Sequence, residues 1–117
     1  MVRFDEASVA DVETFVLPPA DSPAHISVFG PGTMALGHLA GPEGPGGISL
    51  WTAENTGFDA TSLPEPEAAF VLAGVLRLTP TGGEPVDVTA GQGYYLPIGW
   101  SGRVEAVEPV RKIYIAL

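Results

Sequence analysis

The chain has 117 residues, 45% of them hydrophobic, with 5 Lys and Arg against 14 Asp and Glu, a net charge of −9 and no cysteine. That length fits one domain, a mean hydropathy of +0.24 excludes a disordered chain, and the missing cysteines exclude disulfides, thiolate zinc sites and thiol catalysis. The acidity argues against nucleic acid and against an anionic membrane surface as partners. It serves solubility, with attraction of a cationic substrate as the alternative.

Residues 1–6 hold no apolar signal core. No apolar run approaches the roughly 20 residues of a membrane helix, so a cytoplasmic location is expected. Residues 1–24 are polar, acidic and proline-rich, and are expected at the periphery of the domain or across a partner subunit. Within them, residues 11–17 suit a short helical turn or an outer strand, stopped by Pro18 and Pro19. Strands are expected at 26–29 and 33–39, the second ended by the Gly/Pro loop at 41–47. Residues 48–53 alternate apolar and polar as a half-buried strand does, and 57–62 form a weaker one.

The densest apolar run, 68–78, is long enough for a helix. Gly74 in its middle and the Val and Phe content favour a strand. Residues 79–83 read as a hairpin turn, followed by strands at 84–89 and 94–97. Residues 103–107 and 110–117 make the last two. About nine short strands with no convincing long helix predict a single all-β barrel or jelly roll spanning residues 1–117.

Two patterns resemble the motifs of the cupin superfamily. Glu67 is followed by six residues and Gly74; Gly91 is followed by five residues, Pro97, one residue, Gly99, two residues and then Gly102. The closing stretch, Pro97 to Gly102 with Arg111-Lys112-Ile113-Tyr114, is similar to the branch of ethanolamine-utilisation and ureidoglycine aminohydrolase-like cupins. Trp51 and the Pro64 to Glu67 stretch fit that branch too. The resemblance covers roughly residues 46–117 and implies an antiparallel cupin-type β-barrel (a double-stranded β-helix) that forms a homodimer. Open sheet edges in need of cover agree with a dimer.

An ordinary cupin holds a divalent metal through three histidines and one glutamate. By the resemblance, the first two histidines belong four and six residues before Glu67. Leu63 and Thr61 stand there, or Ser62 and Ala60 with one extra residue, and Gly102 stands at the third. Only Glu67 of the four ligands is kept, and one carboxylate is too few for a transition metal, so no metal and no cofactor are expected. His25 and His38 precede the motifs and are assigned no role. Other positions depart from the branch as well: Thr52, Ala73 and Gln92 replace its usual carboxylates, and Val104 its tryptophan.

Glu67 is the candidate acid or base, since a carboxylate facing an apolar interior is the type of group that exchanges protons in catalysis. Trp51, Tyr94, Tyr95 and Trp100 are the candidate aromatic lining, with alternation sending the two tyrosines to opposite faces. Thr61, Leu63, Glu67, Trp51, Tyr95 and Trp100 make up the expected ligand-binding set. The leading expectation is metal-independent binding of a small organic molecule. An enzyme of small polar metabolites using Glu67 is the alternative, and a filled structural or regulatory barrel is the third.

Overall fold

The computed structural model describes residues 3 and 5–117. Among them are a one-turn helix α1 (Glu6–Ala10) and nine strands: β1 (Phe15–Val16), β2 (Ile26–Phe29), β3 (Thr33–Ala40), β4 (Ile48–Glu54), β5 (Gly57–Ala60), β6 (Glu67–Pro80), β7 (Val86–Thr89), β8 (Gly93–Leu96) and β9 (Gly102–Ala116). All pair antiparallel in one curled sheet. The fold is the all-β barrel that the strand pattern predicts.

Two long strands organise it. β9 pairs along one edge with β4 through residues 110–115 and with β5 through 102–105, and along the other edge with β6. The far edge of β6 pairs with β8 through 67–70 and with β7 through 75–78. Each long strand therefore belongs to two halves of the sheet, and the halves face each other across a shared core. Trp51 and Val71 from one half pack in one cluster with Leu76, Val88 and Val104 from the other.

The bend between the halves is set at Gly74. The β6–β9 register shifts between residues 71 and 76, Gly74 takes φ +83°, and a Cβ there would lie 1.9 Å from the Pro109 carbonyl oxygen. Only glycine meets both demands. The irregularity also changes which face looks inward, as an added residue in a strand must. Ala69 and Val71 are buried before it, Leu76 and Leu78 after it. The two strands expected at 103–107 and 110–117 are one continuous strand. Pro109 falls within the register shift, so its missing N–H takes no bond from a regular ladder.

The N-terminal segment is tied to its own domain. β1 pairs with β3 (Phe15 with Leu36, Val16 with Ala35), which takes the strand alternative for 11–17, and Val9 is buried. Gly37 admits Val12: a Cβ there would lie 2.5 Å from a Val12 methyl. Pro19–Asp21 form a 3-10 turn over the barrel mouth.

Candidate functional site

Inward-facing side chains from four neighbouring strands meet at one end of the barrel. In the ladders, Lys112 of β9 lies opposite Trp51 of β4 and Val71 of β6. One row along, Tyr114 lies opposite Ser49 and Ala69, and Ala69 lies opposite Tyr94 of β8. The small Ala69 side chain leaves space for the Tyr94 ring to lean across β6 toward Lys112. Glu67, at the start of β6, sits beside Leu96 and Ala116.

The polar groups form a chain. The Lys112 ammonium donates to the Tyr94 hydroxyl oxygen at 2.5 Å, and the Tyr94 hydroxyl donates to Glu67 Oε2 at 3.3 Å. Lys112 Nζ is 3.9 Å from the same carboxylate oxygen, so the tyrosine relays most of the contact. The ammonium also lies 4.4 Å from the Trp51 ring centroid and 5.2 Å from that of Tyr94, in cation–π range of both. Trp51 is held in turn by an edge-on contact with Phe58, with centroids 6.3 Å apart. The Lys112 side chain is 2% exposed and that of Glu67 is 25% exposed.

Burial pulls the Lys112 ammonium below the ordinary lysine value, and the Glu67 charge offsets part of that. Burial pushes the Tyr94 hydroxyl well above 10, helped by the charge and hydrogen bond of Glu67. Tyr114 is also raised, chiefly by burial.

Two hollows open onto this group. One, of about 270 Å³, has apolar walls that include Met34, Leu36, Trp51 and Phe58; its polar residues are Lys112, Glu67 and Tyr114, with Asp21 and Ser22 from the N-terminal segment. The other, of about 280 Å³, runs past Leu63, Leu96 and Trp100 to His25 and Glu65. They share Glu67, Ile26, Phe58 and Tyr114, so they are two lobes meeting at the carboxylate.

The expected site residues fall into two groups. Trp51 and Glu67 line the first lobe; Glu67, Leu63 and Trp100 line the second. Thr61 is exposed beyond the end of β5 and lines neither lobe. Tyr95 is 60% exposed on the outer face; the inward tyrosine of the pair is Tyr94, which bonds Lys112 and Glu67 but lines neither lobe. His25 reaches the second lobe, while His38 is exposed on β3. Lys112 escaped sequence reasoning. The signal was present: Val110, Lys112 and Tyr114 share one face of β9, so the lysine follows a buried valine by one alternation. It is also the only lysine, the other basic residues being Arg3, Arg77, Arg103 and Arg111.

The surroundings of Glu67 do not fit a divalent metal. No group of three or more His, Cys, Asp or Glu suited to a metal ion exists among the described residues. Glu67 is instead faced by an ammonium. At Gly102, where the cupin motif carries histidine, a Cβ would lie 2.7 Å from the Trp100 ring, so the indole occupies that space.

A curled antiparallel barrel with a glutamate at the start of a long inner strand and its site inside the mouth is the build of a cupin. Residues 40–114 match the model of the EutQ-like cupin domain, and the chain belongs to that family. The putative ethanolamine utilization protein Q of Salmonella typhimurium LT2 superposes with a TM-score of 0.71 at 21% identity, over 99% of this chain and 91% of that one. The Clostridium difficile EutQ protein superposes at 0.63 and 23% identity, over 74% of this chain and 63% of that one. A cupin-like protein of Thermotoga maritima also gives 0.63, at 15% identity, over 81% and 74%. At such identities these likenesses speak for the fold. No curated protein matches the chain.

Proposed function

We propose that this cupin domain binds a small organic molecule inside the barrel without a metal, held between the Trp51 wall and the Lys112 and Glu67 side chains that Tyr94 links. The observation that carries this reading is a buried ammonium and a partly exposed carboxylate in a mainly apolar hollow of about 270 Å³, which Asp21, Ser22 and Tyr114 also line. Few polar groups on apolar walls is the usual make-up of a small-molecule site. An ammonium and a carboxylate together suit a compact ligand carrying both an acceptor and a donor.

The test is a thermal-shift and calorimetric screen of amines, ureides, hydroxy acids, sugars and divalent metals, with and without EDTA. A ligand that binds only the folded state raises the melting temperature. The reading expects an organic hit that survives EDTA and weakens at least tenfold in Glu67→Gln. A large shift from a metal alone would overturn it.

Tyr94, hydrogen-bonded to both charges, gives support to a second reading, an enzyme acting on a small polar metabolite with Glu67 as its acid or base. We also propose that the domain pairs with a second copy through the outer face of β6 and β8. Phe70, Leu72 and Tyr95 are exposed on these two strands. Light scattering of wild type and Tyr95→Arg tests the dimer; a wild-type monomer at micromolar concentration would sink it.

A further inference from the structure

We propose that Lys112 captures a small aldehyde or ketone as a reversible imine in the apolar lobe, with Tyr94 and Glu67 carrying the protons. The proposal rests on the small-molecule reading above and names the ligand class.

The choice of cation is the first observation. Elsewhere the chain pairs carboxylates with arginine: Arg77 makes a two-pronged bond to Asp87, and Arg103 to Asp59, both on the surface. An arginine stays protonated and does not become a nucleophile, whereas a lysine can lose its proton and attack a carbonyl. The sole lysine is the basic side chain placed inside the barrel. A purely structural counter-charge for Glu67 has no need of that property.

Its setting supplies what an imine requires. Burial shifts Lys112 toward the free amine, and the Glu67 charge offsets part of that. With its side chain 2% exposed, Lys112 would hold an imine nitrogen out of bulk water. The Tyr94 hydroxyl touches the amine on one side and the Glu67 carboxylate on the other, which is a proton path.

The step balances without a co-reactant. Lys112 passes one proton through Tyr94 to Glu67. The amine lone pair then forms the C–N bond while the carbonyl π pair moves to oxygen, and an N–H proton transferred to that oxygen completes a carbinolamine. Glu67 returns its proton to the hydroxyl, which leaves as water as the C=N bond forms. An ammonium and a carbonyl thus become a protonated imine and water, with the Glu67 carboxylate restored beside the new cation.

The probes are butanal and 2-butanone, each trapped with cyanoborohydride at pH 7 and located by peptide mapping. A single lysine makes the mapping unambiguous, and the chain's own α-amino group is the internal reference. An ordinary lysine is in the free-amine form roughly 300-fold less often than an α-amine at pH 7, from their usual pKa values. The proposal expects the folded protein to be butylated at Lys112 at least as fast as at the α-amine, and the guanidinium-unfolded chain to show the reverse. Lys112→Arg should lose the adduct while keeping a charge opposite Glu67. Labelling of the folded protein at the α-amine alone would overturn the imine. If the same compounds still raise the melting temperature, the small-molecule reading stands without it. If neither compound shifts or labels the protein and the wider ligand screen is flat, both fall.

Discussion

Replacing Glu67 by Gln should destabilise the protein more than replacing Lys112 by Met, and the double substitution should cost less than the sum. The asymmetry comes from burial. Lys112 is 2% exposed, so without the carboxylate its ammonium has only the Tyr94 oxygen and two aromatic faces for company. Breaking a buried pair from one side costs about 3–5 kcal/mol. An unpaired lysine can also deprotonate, and moving its equilibrium from ~10.4 to 7 sets a ceiling of about 4.6 kcal/mol at neutral pH. The expected loss for Glu67→Gln is therefore about 2–4 kcal/mol. Glu67 is 25% exposed and can turn to water when Lys112 is gone, while a methionine fills the lysine's apolar track. Lys112→Met should then cost about 1 kcal/mol, and the double variant should show a coupling of about 1–3 kcal/mol. Urea titration of the four proteins at pH 7 reads all three numbers, provided the slopes agree. Equal and additive losses would refute the idea that the two charges depend on each other.

Tyr94→Phe should cost about 1–3 kcal/mol, because it removes a buried hydroxyl bonded to the Lys112 ammonium. Tyr95→Ala, on the exposed neighbour, should stay within about 0.5 kcal/mol for the monomer when measured by the same titration. Gly74→Ala should lose at least about 2 kcal/mol from its left-handed backbone and its clash with Pro109, whereas Gly99→Ala, also at φ +83° but facing open space, should lose about 1 kcal/mol. Thermal melts of the two glycine variants check that order. The pH dependence has two limbs. Lys112 has a folded value below the unfolded one, so between the two the unfolded chain binds more protons and stability rises with pH up to about 10.5. Tyr94 and Tyr114 have folded values above theirs, so stability falls as pH climbs past about 10. Urea midpoints from pH 7 to 11 should therefore pass through a maximum, and Tyr94→Phe should flatten the alkaline limb.

Much of the barrel was legible because its turns carry their own chemistry. The Gly/Pro loop at 41–47, the 79–83 turn and the glycines near 91–93 punctuate the strands where the structure has its corners. The Glu67-to-Gly74 spacing was legible for the same reason: it runs from the start of β6 to the bend that only glycine allows. What local pattern could not show was which faces converge. Trp51 and Lys112 are distant in sequence and become neighbours through the β4–β9 ladder alone. Thr61 illustrates the converse. Its place relative to Glu67 is that of a ligand in the motif, yet β5 ends at Ala60 and the residue turns out to solvent. Tyr94 and Tyr95 could be sent to opposite faces by alternation, but which one faced inward depended on the register of β8 against β6, where Tyr94 lies opposite the buried Ala69.

The pairing of Glu67 with Lys112 also bears on what the site can accept. A divalent cation brought to Glu67 Oε2 would meet a positive charge whose present distance is 3.9 Å. At an effective dielectric of about 20, charges of +2 and +1 some 4 Å apart repel by roughly 8 kcal/mol. A metal would first have to expel the lysine proton, and its reward would be one carboxylate oxygen that Tyr94 already engages. A neutral carbonyl or hydroxyl meets no such barrier, because it can accept from Lys112 without displacing the charge that balances Glu67. Removing the lysine should not by itself create a metal site, since no group of three or more His, Cys, Asp or Glu suited to a metal ion exists among the described residues.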